Sequence, residues 1–243
     1  MRHFSAYELN ILLRNNVEPS SIANHDVPVE YVVGQAEFCE NFFKVDNSTL
    51  IPRVETEYLI ELGLKYTKAG IIKFADVGCG SGAIGLSFGI QLALRNANFS
   101  ATLSDISINA IKVAQENLQT HKDQLKDNKV QIIQSDLLKA YSKDEKLNII
   151  FANLPYIPSG RILKLDKSVR EFEPLTALDG AEDGLKYIRQ LLFMAPNYLS
   201  KDGIVLLEVD DSHKDPSEFK KTWNIEVKND FNGKIRYWIC HSK

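Results

Sequence analysis

From Ile71 to Asp210 short apolar runs alternate with longer helix-forming segments, and this alternation constrains the fold more than any other feature. "IIKFADVG", "SATLSDI", "KVQIIQSD", "LNIIFANLP" and "GIVLLEVD" read as strands. "AIGLSFGIQLAL", "SINAIKVAQENLQTH" and "DGLKYIRQLLFMAPNYL" read as helices, with Ser107 as a candidate cap for the second. Strands separated by helices build βαβ units and a mostly parallel sheet. The end of the chain breaks the pattern. "WNIEVKND" and "IRYWICH" flank Phe231-Asn232-Gly233-Lys234, two strand-like runs around an Asn-Gly turn. The expected fold is α/β and Rossmann-like: a seven-stranded, mostly parallel sheet with a C-terminal antiparallel hairpin.

Upstream, Ser5-x-x-Glu8 opens a helical stretch as a capping box. The region from about Ala23 to Ile51 has no helical period. Within it "EFCENFFKVDNSTLI" reads as a hairpin with Asp46-Asn47-Ser48 at or near its turn. Pro52 then precedes the helical "VETEYLIELGLKYTK". This divides the chain into a short helical segment with a hairpin, 1–51, and a main domain, 52–243. A length of 243 residues suits one α/β domain with a small appendage. The net charge of −3 gives no basic excess that would select for nucleic acid. Cys39, Cys79 and Cys240 lie too far apart in sequence for a redox pair or a zinc motif, and no metal site is expected. No apolar run is long enough for a signal peptide or a membrane span, so the expected setting is the cytoplasm.

The chemistry-bearing residues fall at strand ends. Gly78-Cys79-Gly80-Ser81-Gly82 follows the first strand and opens a helix, where glycines permit a tight turn and a close ligand approach. A plain strand-to-helix turn is the simpler alternative. Asp105-Ile106 ends the second strand. An acid there can accept both hydroxyls of a ribose, or can merely favour the next helix start. At the end of the third strand, Asp136 can accept from an adenine amino group while Leu137 covers the ring; an ordinary loop acid competes with that reading. Three such strand ends in order favour a nucleoside pocket at the carboxyl edge of the sheet.

The fourth strand ends in Asn153-Leu154-Pro155-Tyr156. If the nucleoside is S-adenosylmethionine, its methyl needs an in-line nucleophile about 3–3.5 Å away. An amide or adenine nitrogen is a poor nucleophile because its lone pair is delocalised. Accepting both N–H hydrogens, one on the Asn153 side-chain oxygen and one on the Leu154 carbonyl, favours a pyramidal nitrogen. The Tyr156 ring can stack on the planar group, and Pro155 stiffens the segment. A strand ending in an Asn-x-Pro turn is the simpler alternative.

Together these residues resemble class I S-adenosylmethionine-dependent methyltransferases. "LIPRVETEYLIE" resembles the "IPRPETE" signature of the HemK family, the protein N5-glutamine methyltransferases. "EPLTALDGAEDGLKYIRQLL", "VEYVVGQAEFCENFFKVD" and "NDFNGKIRYW" resemble other segments of that family, and the likeness runs from about Pro28 to Trp238. The resemblance implies methyl transfer to the glutamine side chain of the Gly-Gly-Gln motif in a peptide-chain release factor, by a monomer. It assigns Gly78, Cys79, Gly80, Ser81 and Gly82 to the methionine portion of the cofactor, Asp105 to the ribose, Leu137 to the adenine, and Asn153 through Tyr156 to the substrate amide; Ile106, Asp136 and Asn153 are expected to border the cofactor as well. Arg53 and Glu55 match the signature without an assigned role. Asp179-Gly180 is expected as a turn and Asp183 as a helix cap. Leu154 stands where the family has a proline, and Asn-Leu-Pro-Tyr is also the form of ribosomal-RNA adenine dimethylases. The alternative is therefore a nucleic-acid adenine N6-methyltransferase. The amino-terminal region is shorter than the family's usual helical domain.

Overall fold

The computed structural model describes residues 3–22 and 26–243. Its main sheet has seven strands: β3 (Ile72–Val77), β4 (Phe99–Asp105), β5 (Lys129–Gln134), β6 (Leu147–Ala152), β7 (Leu199–Glu208), β8 (Trp223–Asn229) and β9 (Ile235–Ser242). Their order is β5-β4-β3-β6-β7-β9-β8. The first five strands are mutually parallel. β9 is antiparallel to β7, and β8 to β9, as the terminal hairpin predicts. Chain order runs outward from β3 in one direction and resumes at β6 on its other side. That leaves a switch point between β3 and β6, where the loops diverge and open a crevice.

The central strands are buried on both faces. Phe74, Ile149 and Phe151 point to one side; Ala75, Val77, Ile150 and Ala152 point to the other. The first side is covered by α3 (Tyr58–Lys65), α4 (Ala83–Leu94) and α5 (Ile108–Thr120), and the second by α8 (Lys186–Met194). Phe88 meets Phe74 and Phe151 edge-on, each with ring centroids 4.8 Å apart. Each fully buried ring of this kind stabilises the fold by about 1.5–3 kcal/mol.

α1 (Ala6–Arg14) begins with the expected capping box. Glu8 N–H donates to Ser5 Oγ at 3.2 Å, and Ser5 N–H to the Glu8 carboxylate at 2.7 Å. Two upstream expectations are corrected. The stretch read as lacking helical period contains α2 (Val29–Val33), five residues long and too short to show a period; its first residues, 23–25, lie outside the described residues. The hairpin of β1 (Gln35–Phe38) and β2 (Asn41–Lys44) turns at Cys39-Glu40, not at Asp46–Ser48. Both turn residues are left-handed, with φ of 48° and 60°. Tight hairpins need that backbone, but a Cys-Glu pair lacks the Asn-Gly signature that announces it. Asp46 instead makes a separate turn, accepting from Ser48 N–H at 2.8 Å.

The hairpin is tied to the main sheet's helices. Phe38 and Phe43 join the core beneath α3 and α4. Asn117 on α5 accepts from Lys44 N–H at 2.7 Å and donates to the carbonyls of Lys44 and Ser81 at 3.0 and 2.8 Å. One buried amide thus holds the hairpin beside the glycine loop.

Candidate active site

The glycine loop is pinned to the neighbouring strand. Gly78 and Cys79 N–H both donate to the Ser104 carbonyl, at 2.8 and 2.9 Å. Gly78, Gly80 and Gly82 all have positive φ, a conformation that costs other residues dearly. A Cβ on Gly80 would meet nothing within 4 Å, so this backbone faces open space. Asp105 closes the loop from β4: one carboxylate oxygen accepts from Gly80 N–H at 2.9 Å, the other from Ser107 N–H at 2.8 Å. Burial raises the Asp105 pKa, and the N–H donors of Ser107 and Gly80 partly offset it. Each oxygen keeps a lone pair for a further donor. Beneath the loop Asp76 is fully buried. It accepts from Gly85 N–H at 2.8 Å, its second oxygen is unpartnered, and burial pushes its pKa to about 7.

At the end of β5, Leu137 is left-handed with φ of 52°, a strained backbone for a branched side chain. Ser135 supports it, donating from Oγ to the Leu137 carbonyl at 2.7 Å and accepting from Ala140 N–H at 3.1 Å. Asp136 is partly exposed and pairs with Lys139 at 2.5 Å.

A cavity of about 210 Å³ joins these strand ends. Gly78, Cys79, Gly80, Ser81, Asp105, Ile106, Asp136, Leu137, Asn153, Leu154 and Pro155 all lie on its wall. Two residues assigned from sequence do not. Gly82 is the turn into α4 and faces Leu86, Ala114 and Leu103. Tyr156 packs against the cluster under α8, and its hydroxyl donates to Glu208 Oε1 at 2.8 Å. The glycine loop and the Asn153 loop are in direct contact, because Leu154 Cδ2 lies 2.9 Å from where a Gly78 Cβ would stand.

Sequence reasoning missed the residues behind Asn153. Its side-chain nitrogen donates to Thr56 Oγ1 at 3.3 Å, and Thr56 Oγ1 donates to Glu208 Oε2 at 2.7 Å. Thr56 sits inside "VETE", and Glu208 is the last residue of β7. The available signal was an acid ending the otherwise apolar run "GIVLLE", beside the Asn153 strand end in any parallel sheet. Burial raises the Glu208 pKa, opposed by the Thr56 and Tyr156 hydrogen bonds and by Arg236.

The two flanking signatures meet over the site. Arg53 forms an ion pair with Glu173, whose side chain is 1% exposed. The later signature lies along the Asn153 loop: Gly180 N–H donates to the Ile157 carbonyl at 2.9 Å, and Ile157 N–H to the Leu178 carbonyl at 3.1 Å. Asp179 makes the expected turn, accepting from Ala181 N–H at 2.9 Å. Asp183 is not the cap of α8, which starts after Leu185. It accepts from Leu185 N–H at 3.1 Å and pairs with Arg189 instead.

The model of the methyltransferase small domain matches residues 57–166. Solved neighbours share the fold. A methyltransferase from Pyrococcus furiosus aligns over 98% of this chain and 99% of its own at 16% identity, with a TM-score of 0.58. A putative class I S-adenosylmethionine-dependent methyltransferase from Listeria monocytogenes aligns over 81% and 61% at 18% identity, with a TM-score of 0.54. The N-terminal domain of human METTL16, solved with SAH, aligns over 82% and 75% at 14% identity, with a TM-score of 0.53. Nearer in sequence are curated release factor glutamine methyltransferases. That of Lactococcus lactis is 36% identical over 192 residues, 79% of this chain and 67% of that protein. That of Bacillus anthracis is 36% identical over 220 residues, 86% of this chain and 75% of that protein. With the class I methyltransferase sheet and this identity over most of both sequences, the chain belongs to the release factor glutamine methyltransferase family.

Proposed function

We propose that this protein transfers a methyl group from S-adenosylmethionine to the side-chain amide nitrogen of a glutamine in a peptide-chain release factor, at its Gly-Gly-Gln motif. The observation that carries the reading is the contact of Leu154 with Gly78, which sets the Asn153 loop directly against the glycine loop on one cavity wall. The relatives named above support the release factor as partner. Such a substrate puts the reaction in the cytoplasm, where translation ends. We assign the chemistry to the unit 52–243 and treat 1–51 as its entrance segment.

The wall fits S-adenosylmethionine on three counts. The Gly80 backbone faces open space, the Asp105 carboxylate keeps lone pairs after binding two N–H groups, and Leu137 and Ile106 supply apolar surface. Gly78 to Ser81 would hold the methionine portion, Gly82 would shape the turn, Asp105 and Ile106 would border the ribose, and Asp136 and Leu137 the adenine. When bound, the cofactor supplies a methyl activated by a sulfonium.

The rest is positioning by the chain's own groups. Asn153 Oδ1 and the Leu154 carbonyl each accept one hydrogen of the glutamine NH2, so the nitrogen lone pair is freed from the amide plane and aimed at the methyl. Pro155 limits the rotation of the segment that carries both acceptors. The amide proton leaves after transfer, so no general base is needed beforehand. The Tyr156 ring is held by Glu208 beneath this loop, off the cavity wall, and supports the segment that carries both acceptors.

The test is incubation with methyl-labelled S-adenosylmethionine and, separately, a cognate release factor and an adenine-containing RNA. Label in the release factor supports the assignment. Label in the RNA alone would replace it with adenine N6-methylation.

A further inference from the structure

We infer that Glu208 is a positioning residue which, through Thr56, fixes Asn153 with its oxygen rather than its nitrogen toward the substrate. The inference rests on the function proposed above and deepens it.

The argument is a count of protons. Glu208 is 2% exposed and lies one residue beyond Leu207, which pairs with Ala152, so Glu208 and Asn153 leave adjacent parallel strands side by side. Its two oxygens take two different donors, Thr56 Oγ1 at 2.7 Å and the Tyr156 hydroxyl at 2.8 Å. A threonine hydroxyl has one proton. Thr56 is 3% exposed, and its proton goes to the carboxylate, so toward Asn153 it can only accept. The Asn153 group at 3.3 Å must then be the NH2, which turns Oδ1 away from Thr56 to the cavity side. An asparagine without such a partner has two nearly equivalent amide orientations. The wrong one would present NH2 to the substrate's NH2, and no hydrogen bond would form.

Other charged groups facing Glu208 favour this direction. Arg236 lies near both Glu208 and the Tyr156 hydroxyl, and its charge offsets the cost of the buried carboxylate. Glu55 is the opposing charge nearby. The Tyr156 proton has one evident acceptor, Glu208. A neutral side chain at 208 therefore has a forced arrangement. In Glu208→Gln the carbonyl must stay on Tyr156, and the new NH2 must donate to Thr56. Thr56 then sends its proton to Asn153, which satisfies the network only with Asn153 flipped.

The experiment compares wild type, Glu208→Gln, Thr56→Val and Thr56→Ser. It measures kcat/KM for release-factor methylation, Kd for S-adenosylmethionine by calorimetry, and Tm. Expected for Glu208→Gln is a loss of about 100-fold in kcat/KM, with cofactor Kd changed by less than about twofold. Thr56→Val shows a comparable loss, most of which Thr56→Ser recovers. Unchanged turnover in Glu208→Gln overturns the inference. So does a loss that follows cofactor affinity and Tm together, or equal turnover in Thr56→Val and Thr56→Ser. If wild type methylates RNA adenine instead, the proposed substrate falls, while the ratio of Glu208→Gln to wild type on that amine still decides the role of Glu208.

Discussion

Gly184→Ala should damage the active site although Gly184 itself is assigned to neither substrate nor cofactor. Gly184 has φ of 80°, and a Cβ placed on it would lie 2.2 Å from the Tyr156 carbonyl oxygen and 3.0 Å from the His213 ring. Comfortable C–H···O approaches are about 3.3 Å, so the Tyr156 carbonyl must retreat by about 1 Å. The obstacle is backbone, which cannot swing aside as a side-chain tip can. The left-handed conformation alone costs alanine about 1–2 kcal/mol, and the overlap adds about 1–3 kcal/mol. Because Tyr156 follows Pro155, its retreat pulls on the Asn153 and Leu154 acceptors, and misplacement by 1 Å costs about 100-fold in rate. Gly233→Ala carries the left-handed cost alone: its φ is 78°, but nothing lies within 4 Å of the added carbon. Urea denaturation and release-factor methylation are measured for both variants. Gly184→Ala should be the less stable by about 1–3 kcal/mol and should alone lose turnover. Equal stability and equal turnover in the two variants would refute the reasoning.

Removing Arg53 leaves Glu173 buried without its countercharge; Arg53→Ala should cost about 2–3 kcal/mol, less than a fully buried pair because Arg53 is itself 35% exposed, and Arg53→Met with Glu173→Leu should recover most of it in thermal melts. Asp76 has a folded pKa of about 7 against an ordinary 3.8, so its favourable contribution is complete below the lower value and is lost as pH rises through the upper one. Asp76→Asn should therefore gain stability over wild type between about pH 4 and about pH 7, by about 4 kcal/mol at most, and denaturant midpoints at the two ends of that window check it. Leu154→Pro restores the family's residue at a position already restricted by the following proline, so the fold should persist; loss of the Leu154 contact with Gly78 should weaken cofactor binding several-fold, as measured by calorimetry.

The parallel sheet was legible because short apolar runs alternate with longer helix-forming segments, and the terminal hairpin because Asn-Gly marks its turn. The upstream hairpin was only half legible. Its strands are visible in "EFCENFFK", but the Cys39-Glu40 turn takes a left-handed backbone that neither residue advertises. Strand ends predicted the cavity wall well, since loops after parallel strands converge wherever the sheet order reverses. Tyr156 shows the limit of that logic. Position in a motif does not say which way a ring turns, and its hydroxyl is drawn away from the cavity by Glu208. Thr56 and Glu208 are 152 residues apart in sequence, and their bond follows only from the pairing of β6 with β7 and the path of "PRVETE" across their ends. The signature glycine Gly184 likewise acquires its reason only when the backbone it faces is known.

The most direct measurement is tandem mass spectrometry of a cognate release factor after incubation with this protein and S-adenosylmethionine, with Asn153→Ala in parallel. The account predicts one added methyl on the glutamine side chain of the Gly-Gly-Gln motif with wild type, and none with Asn153→Ala although that variant still binds the cofactor. An unmodified glutamine with methyl on another residue, or full modification by Asn153→Ala, would contradict it.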